Sequence, residues 1–255
     1  MKKLNMRKVV SNAFFLPKGK MTRAIITSSS AINRKGESRI KVVRSSTSLP
    51  FFLEEALIGI ILGDGHLSKS SSTSNTRLEL SMASTDIILA YYIYSLFIYY
   101  YNTKPKKLET KSKNNNKLYG SIRLKTLSLS VFNKYYDLFY KRDVKKNKWI
   151  KIIPENIHEY MTPVVLAFLI MGDGNFDKSR NRIRIYTNSF THSENILLAA
   201  AIIEKLNIKT SVMRDKNNQY ILTIGAKQLK ILQILISPYL HPSKLYRIGK
   251  NNYSV

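Results

Sequence analysis

Two identical Gly-Asp-Gly triplets, at residues 63–65 and 172–174, are the segments of this sequence best suited to chemistry. Each triplet ends an apolar run of helical length, so Asp64 and Asp173 are expected at the exposed ends of two helices. If the two helices pack side by side, the carboxylates emerge together, and paired carboxylates suit a hard divalent cation such as magnesium. Such a cation could activate water and neutralise charge while a phosphodiester is displaced in line.

The alternative is that the triplets are ordinary glycine-rich turns in which an aspartate is favoured locally. A single triplet would favour that interpretation. Acidic residues are scarce, however, with 16 Asp and Glu in 255 residues, and two of them stand in identical settings behind apolar helices. The repetition therefore favours a paired site.

The composition limits what this site could act on. The chain has 42 Lys and Arg and a formal charge of +26, which indicates a polyanionic partner, most commonly a nucleic acid. Because there is no cysteine, disulfides, thiolate zinc sites and thiol nucleophiles are excluded. Hydrophobic residues make up 44% of the chain, enough for a real core. The most apolar run, residues 87–101, is too short to cross a membrane, so we expect no membrane partner.

The elements that must position the two aspartates follow one plan that occurs twice: a helix, the triplet, strands, a helix, strands and a helix. Pro50 suits the start of the first copy. Thr162 is a good N-cap for the second, and Thr191 and Glu194 have the spacing of a capping box. The predicted organisation is a basic N-terminal arm over 1–48, a first half over 49–143, a linker over 144–161 and a second half over 162–255.

Alternating segments within each half predict strands. Residues 77–82, 121–125 and 180–185 alternate apolar with polar side chains, which puts one kind on each face of a sheet. One face is apolar, for a core, and the other is polar and largely basic. A sheet with a wet, cationic face is what a DNA-binding surface needs.

Residues 57–65 (LIGIILGDG) and 166–174 (LAFLIMGDG) resemble the paired signature of LAGLIDADG homing endonucleases, in their single-chain branch. The resemblance covers about residues 50–248. It implies an α+β fold of two pseudosymmetric αββαββα halves, with the motif helices at their interface and the sheets forming a saddle on DNA. It also implies a monomer that cuts both strands of a long asymmetric duplex site across the minor groove.

The resemblance further implies site residues. Asp64 and Asp173, with Gly63 and Gly172 beside them, would bind Mg²⁺ or Mn²⁺, and Ca²⁺ is expected to bind without supporting cleavage. Lys151 and Arg247 would lie near the two scissile phosphates. Because arginine cannot lose its proton, Arg247 could not act as a base, and Lys244 is the alternative.

Two departures from the family pattern stand out. The third motif position is Gly59 in the first copy and Phe168 in the second, although helices that cross closely need small residues there. A further polar strand residue is expected at each site. Asn188 is a candidate in the second half, but Met82 stands at the matching place in the first. The two strands are therefore expected to be cut at unequal rates.

The DNA-reading surface is predicted from the basic residues of the alternating strands and their turns. Most of them are expected to contact phosphates, and at most a third to contact bases. The predicted set is Lys69, Arg77, Arg123, Lys125, Lys178, Arg180, Arg182, Arg184, Arg214 and the polar Asn188.

Three functions remain open from sequence. The first is a site-specific homing endonuclease, which the two intact aspartates favour. The second is an intron RNA-binding maturase on the same fold, because the fold alone cannot separate the two. The third, a transcription regulator, is disfavoured since both aspartates are present. The arm, in which Glu37 is the single acid, is either a phosphate-binding extension or an import signal. Abundant Lys, Asn, Ile and Tyr suggest an AT-rich organelle genome, mitochondrial or plastid.

Overall fold

The structure, a computed structural model, describes residue 41 and residues 44–111, 118–145 and 147–250. Most of the predicted basic arm therefore lies outside the described residues. Within them, no helix is long and apolar enough to span a membrane.

The chain folds into two halves that share one element order, which confirms the predicted α+β architecture. The first half consists of α1 (Phe51–Leu62), β1 (His66–Ser68), β2 (Arg77–Ala83), α2 (Ile87–Leu96), β3 (Lys106–Lys111), β4 (Leu118–Lys125) and α3 (Asn133–Phe139). The connection consists of β5 (Tyr140–Asp143), β6 (Lys148–Lys151) and α4 (Ile157–Tyr160). The second half consists of α5 (Pro163–Asp173), β7 (Gly174–Asp177), β8 (Arg182–Ile185), α6 (His192–Leu206), β9 (Thr210–Arg214), β10 (Tyr220–Ile224), α7 (Ala226–Ile236) and a closing 3-10 helix (Pro242–Ile248).

Each half contains one four-stranded antiparallel sheet with the same connectivity. The strand orders are β1-β2-β4-β3 and β7-β8-β10-β9. On β2 the side chains of Leu78 and Leu80 are buried, whereas Arg77 and Glu79 lie on the opposite face. The same alternation in β4 and β8 confirms the predicted pattern of one core face and one polar face per sheet.

The two motif helices, α1 and α5, pack against each other and are apolar almost all round, as expected for helices buried between two halves. Gly59 allows their close approach. A Cβ at this position would lie 2.5 Å from the carbonyl oxygen of Val165 and 2.6 Å from the Cβ of Phe168. Phe168 is tolerated because only its Cβ faces Gly59, beside the Val165 carbonyl. The Phe168 ring points away and stacks on Tyr92 with centroids 6.2 Å apart. A small residue is needed on only one helix.

The helix starts follow the predicted signals. Thr162 caps α5, since its side chain accepts a hydrogen bond from the Val165 amide at 3.3 Å. Thr191 and Glu194 form the predicted capping box at the start of α6. Residues 144–161, predicted as a linker, contain more structure than a plain connection. β5 and β6 pair as an antiparallel hairpin, which lets exposed basic residues sit on ordered strands.

A buried ion pair joins the two halves at one end of the interface. Lys244 is 2% exposed, and its Nζ lies 2.5 Å from Oδ1 of Asp86. Asp86 precedes α2 in the first half, while Lys244 belongs to the closing 3-10 helix of the second. Losing Asp86 would leave the buried charge of Lys244 uncompensated, so this pair helps to fix the relative position of the halves.

We expect Gly59→Ala to lower the free energy of unfolding by about 1–3 kcal/mol, because the added methyl group overpacks the helix crossing. Urea unfolding measures this loss. Gly225→Ala is the matched control: nothing lies within 4 Å of a Cβ there, so only a cap preference of less than about 1 kcal/mol is at stake. Equal losses in both variants would contradict the close crossing at Gly59.

Candidate active site

The two aspartates meet at the end of the helix crossing. α1 ends at Leu62 and Asp64 follows in a turn, whereas α5 continues through Asp173. The two carboxyl groups lie close enough that the charge of Asp64 raises the pKa of Asp173. Each also lies over the other triplet: a Cβ on Gly63 would be 3.4 Å from Asp173 Oδ2, and one on Gly172 would be 3.4 Å from Asp64 Oδ2. Each carboxylate therefore lies within van der Waals reach of the first glycine of the opposite triplet.

The two carboxylates have different surroundings. Asp64 is exposed, as predicted for both, but Asp173 is partly buried. Burial raises the pKa of Asp173, and the charge of Asp64 raises it further, while Lys151 and Arg247 oppose the rise. Two carboxylates in contact favour a shared proton or a bound cation, since both cannot ionise cheaply side by side.

Lys151 reaches the first motif from the end of β6. Its Nζ donates hydrogen bonds to the carbonyl oxygens of Ile61 at 2.8 Å, Gly63 at 2.8 Å and Gly65 at 3.3 Å. Burial lowers the pKa of Lys151, and the two aspartates oppose this fall. The structure thus brings Lys151 beside the carboxylate pair.

Arg247 holds the matching place in the second motif. Its NH1 donates to the carbonyl oxygens of Gly172 at 2.5 Å and Gly174 at 2.6 Å. The 3-10 helix that carries Arg247 ends at Gly249, whose φ of +72° and contact with the Phe176 ring leave no room for a side chain. Lys244, the sequence alternative, does not reach the motif because its amine is paired with Asp86.

The donor set suits a hard divalent cation. It offers the carboxylate oxygens of Asp64 and Asp173, whereas the carbonyls of Gly63 and Gly172 beside them accept hydrogen bonds from Lys151 and Arg247. Among the described residues, no three His, Cys, Asp or Glu side chains group around a possible metal ion. Two carboxylates with water and phosphate oxygens completing the shell is the usual arrangement for Mg²⁺ at phosphoryl sites.

Five of the predicted DNA-binding residues lie on the polar faces of the two sheets. They are Arg77 on β2, Arg123 and Lys125 on β4, and Arg182 and Arg184 on β8. The register confirms their shared faces, since Glu79 pairs with Lys125 and Ser81 with Arg123. The sheets that flank the carboxylate pair therefore present basic side chains on one side.

Two predicted residues are elsewhere. Ser68 lies on the polar face, where it donates to Glu79 at 2.9 Å, so the next residue, Lys69, turns the other way. Its Nζ lies 3.6 Å from Asp137 on α3. Arg214 pairs in register with Tyr220, so its side chain leaves β9 on the core-facing side of the sheet. Its guanidinium donates a hydrogen bond to Asn218 in the turn.

Lys178 and Arg180 lie in a turn rather than in a strand. They belong to one 3-10 turn that closes the β7–β8 hairpin, and both are exposed. The predicted strand over 180–185 begins only at Arg182, because Asn181 adopts a left-handed conformation with φ of 46°. Both basic residues remain close to the polar face at its hairpin tip.

Asn188 lies just beyond β8, and Met82 is not its counterpart. Leu80 and Ile185 are equivalent, since each pairs with the buried leucine of the neighbouring strand. Counting three residues on from each matches Ala83 with Asn188, while Met82 is buried in the core. Asn188 Nδ2 donates to Asp215 at 3.1 Å rather than to the aspartate pair. The first half still offers no polar side chain at the matching place.

Sequence reasoning missed how Lys151 is anchored. The hydroxyl of Tyr140 accepts a hydrogen bond from the Leu67 amide at 2.9 Å and lies 3.1 Å from His66 Nδ1. Tyr140 pairs directly with Lys151 across the β5–β6 hairpin. It therefore ties the hairpin that carries Lys151 to the edge of the first sheet. No local pattern signals this contact, since it depends on tertiary packing.

Comparison with known proteins adds family evidence. The model of the LAGLIDADG DNA endonuclease family matches residues 54–232. Among solved structures, the homing endonuclease I-WcaI bound to its DNA recognition sequence is similar, with a TM-score of 0.74 and 26% identity. The match covers 83% of this chain and 92% of that one.

Curated relatives carry two kinds of name. The cytochrome b mRNA maturase bI2 of Saccharomyces cerevisiae is 29% identical over 197 residues, which are 76% of this chain but only 46% of that relative. The Debaryomyces hansenii bI2 maturase is 28% identical over 83% of this chain and 79% of its own length. The intron-encoded endonuclease ai4 of Dictyostelium discoideum is 32% identical over 58% of this chain and 91% of its own length.

We expect Asp64→Asn to lower the pKa of Asp173, because the substitution removes the neighbouring negative charge and leaves burial unchanged. Carboxyl ¹³C shifts followed by NMR as a function of pH report this pKa. Asp137→Asn is the control, since that carboxylate is exposed on α3, next to Lys69. If the pKa of Asp173 does not move in Asp64→Asn, the two carboxylates are not neighbours in solution.

Proposed function

This chain belongs to the LAGLIDADG DNA endonuclease family, and we propose that it is a homing endonuclease that hydrolyses both strands of one specific duplex site. The observation that carries the proposal is that the carboxyl groups of Asp64 and Asp173, one from each half, lie together at the end of the helix crossing. A nuclease needs paired carboxylates at that place, whereas a protein that only binds nucleic acid does not.

The reaction proposed here uses a divalent cation, Mg²⁺ or Mn²⁺, with Ca²⁺ binding without cleavage. Asp64 and Asp173 would hold it, and the backbone of Gly63 and Gly172 lies beside them. When bound, the cation would neutralise charge on the scissile phosphate and make water a better nucleophile. The raised pKa of Asp173 supports this site, because a cation would relieve the repulsion between the two carboxylates.

Lys151 and Arg247 would each serve one scissile phosphate. Both side chains are held against the motif carbonyls, so their positive charges lie beside the carboxylate pair before DNA binds. Each would offset the negative charge that builds up on the phosphate oxygens. Lys151 could also lose a proton at Nζ, since burial lowers its pKa, but Arg247 keeps its protons at any working pH.

The two sheets are the proposed DNA surface. Their polar faces carry Arg77, Arg123, Lys125, Arg182 and Arg184, and a net charge of +26 favours association with the phosphate backbone. The two halves differ in their side chains, which suits a long asymmetric site. Because one chain supplies both motifs, a monomer has a complete pair of carboxylates.

An intron RNA maturase is the second candidate, and the names of two relatives favour it. The two functions need different tests, because both would bind nucleic acid in a salt-dependent way. Splicing of structured intron RNA that depends on this protein, and survives Asp64→Asn, would identify the maturase. Names of intron-encoded relatives and the composition together support a gene in an organelle, mitochondrion or plastid.

We expect Asp64→Asn and Asp173→Asn each to reduce cleavage at least about a hundredfold, since several kcal/mol of transition-state stabilisation depend on the held cation. Binding to the same duplex should stay close to that of the parent protein, because neither substitution removes a positive charge. Cleavage and gel-shift assays with Mg²⁺ and with EDTA separate the two quantities. Asp137→Asn, which also removes one carboxylate, should cut normally. A single aspartate variant that still cuts both strands at the parent rate would refute the site.

We also expect the two DNA strands to be cut at unequal rates. Lys151 would serve one phosphate and Arg247 the other, and Asn188 has Ala83 as its counterpart. A duplex labelled on each strand separately, sampled at short times, gives the two nicking rates. Equal rates would show that these differences between the halves do not reach the chemistry.

A further inference from the structure

Two arginines occupy matching places on the polar faces of the two sheets. Arg77 begins β2 and pairs in register with Ser68, the last residue of β1. Arg182 begins β8 and pairs with Asp177, the last residue of β7. Because the halves are related by pseudosymmetry, the two guanidinium groups stand at equivalent positions on either side of the carboxylate pair.

A carboxylate holds the guanidinium of Arg77 in the first half. The Nε of Arg77 lies 2.7 Å from Oε1 of Glu79 and 3.1 Å from the hydroxyl of Ser68. Glu79 is itself fixed, because Ser68 donates to Oε1 at 2.9 Å and Lys125 lies 3.0 Å from Oε2. Glu79 and Arg77 are respectively 21% and 34% exposed at their side chains, so the network forms one wall of the open face.

In the second half, a carboxylate from the neighbouring strand β7 holds the guanidinium of Arg182. The Nε of Arg182 donates to Oδ2 of Asp177 at 3.0 Å. The other oxygen of Asp177 accepts from the hydroxyl of Ser179 at 2.7 Å and the amide of Arg180 at 3.3 Å. Asp177 stands where the first half has Ser68, so the two halves reach one arrangement with unrelated residues.

The nitrogen used in these contacts decides what each arginine can still do. Both pairs use Nε, and within the described part of the chain the terminal amino groups of Arg77 and Arg182 make no hydrogen bond. Two adjacent donors on one guanidinium are what guanine needs for a bidentate contact to O6 and N7. A guanidinium that is already oriented loses less side-chain entropy when it makes that contact.

The carboxylates of Glu79 and Asp177 do not strengthen DNA binding. Glu79 and Asp177 would face a polyanion, and each negative charge on that face opposes phosphate binding. They remain ionised at neutral pH. Burial raises the pKa of Glu79, but hydrogen bonds from Lys125, Ser68 and Arg77 outweigh burial and lower this pKa to about 2. Hydrogen bonds from Ser179 and Arg182 lower the pKa of Asp177 to about 2. Their use is in orienting the arginines.

Arg123 provides the contrast. It lies on the same polar face, exposed, and no carboxylate of the described residues forms an ion pair with it. A long cationic side chain without such a restraint suits a phosphate contact, which adds affinity but no sequence information.

We propose that Glu79 and Asp177 are specificity-determining residues, which orient Arg77 and Arg182 so that each reads one guanine, at symmetric positions in the two halves of the target. The inference rests on the proposed function, because it requires a duplex DNA target. It separates Arg77 and Arg182, which are held through Nε with both terminal amino groups open, from Arg184, whose NH2 donates to Asp215, and from Arg123.

The test is selection of bound and cut sequences from a randomised duplex library, with Mg²⁺. The parent protein should select guanine at two positions placed symmetrically about the cuts. Glu79→Ala should reduce the preference at one of them by about five- to 150-fold, and Asp177→Ala should do so at the other. All other positions should keep their preferences. Arg123→Gln is the control, and it should weaken binding to every sequence without changing the profile.

Arg77→Lys and Arg182→Lys give a second route should an alanine variant fold poorly. They keep the positive charge and lose the planar fork, so they should erase the same two preferences. A parent profile that stays unchanged in all four variants, or that weakens equally at every position, would overturn the inference and leave the endonuclease standing. A folded parent protein without any sequence preference would overturn both.

Discussion

Two carboxylates held next to each other at the end of a helix crossing are the constraint on which the rest of the molecule depends. Asp64 and Asp173 repel each other, and burial of Asp173 strengthens the repulsion. The contact persists because Gly59 lets the two helices approach closely. Lys151 and Arg247 then supply the nearest positive charges. Because a bound cation would relieve this repulsion, the paired aspartates should bind a cation more tightly than two separated aspartates would.

The halves repeat their backbone plan more closely than their side chains. Lys151 arrives on a hairpin that connects the halves, whereas Arg247 arrives on the closing 3-10 helix, yet both donate to equivalent motif carbonyls. Arg77 and Arg182 are held through the same nitrogen by carboxylates from different strands. Duplex DNA presents two similar strands, so the backbone symmetry suits it. Different side chains on the two halves are what reading an asymmetric sequence requires.

Local sequence patterns predicted much of the fold and the two aspartates at the centre of the site. The triplets at Asp64 and Asp173, the cap at Thr162 and the alternation around Arg77 are short-range signals, because helix and strand periods act over a few residues. Contacts between distant segments left no such signal. The pair of Lys244 with Asp86, the contact of Tyr140 with the Leu67 amide and the turned-away Lys69 all depend on tertiary packing.

Acidic residues on the saddle show the same limit. Glu79 lies within the predicted alternating segment 77–82, but its role could not be predicted, since a count of charges does not reveal which ones touch. Its three donors come from β1, β2 and β4, and only the folded register brings them together. The register likewise matched Asn188 with Ala83, where a shift of one residue had suggested Met82.

One composite centre for both strands is the central claim, and mapping the cuts tests it most directly. The protein would be incubated with a randomised duplex library and Mg²⁺, and both strands of every product would be sequenced. A single composite centre requires paired nicks that face each other across one minor groove, in one family of sequences, and their loss in the Asp64→Asn/Asp173→Asn double variant. Nicks scattered along the duplex, or paired nicks that persist in the double variant, would contradict it.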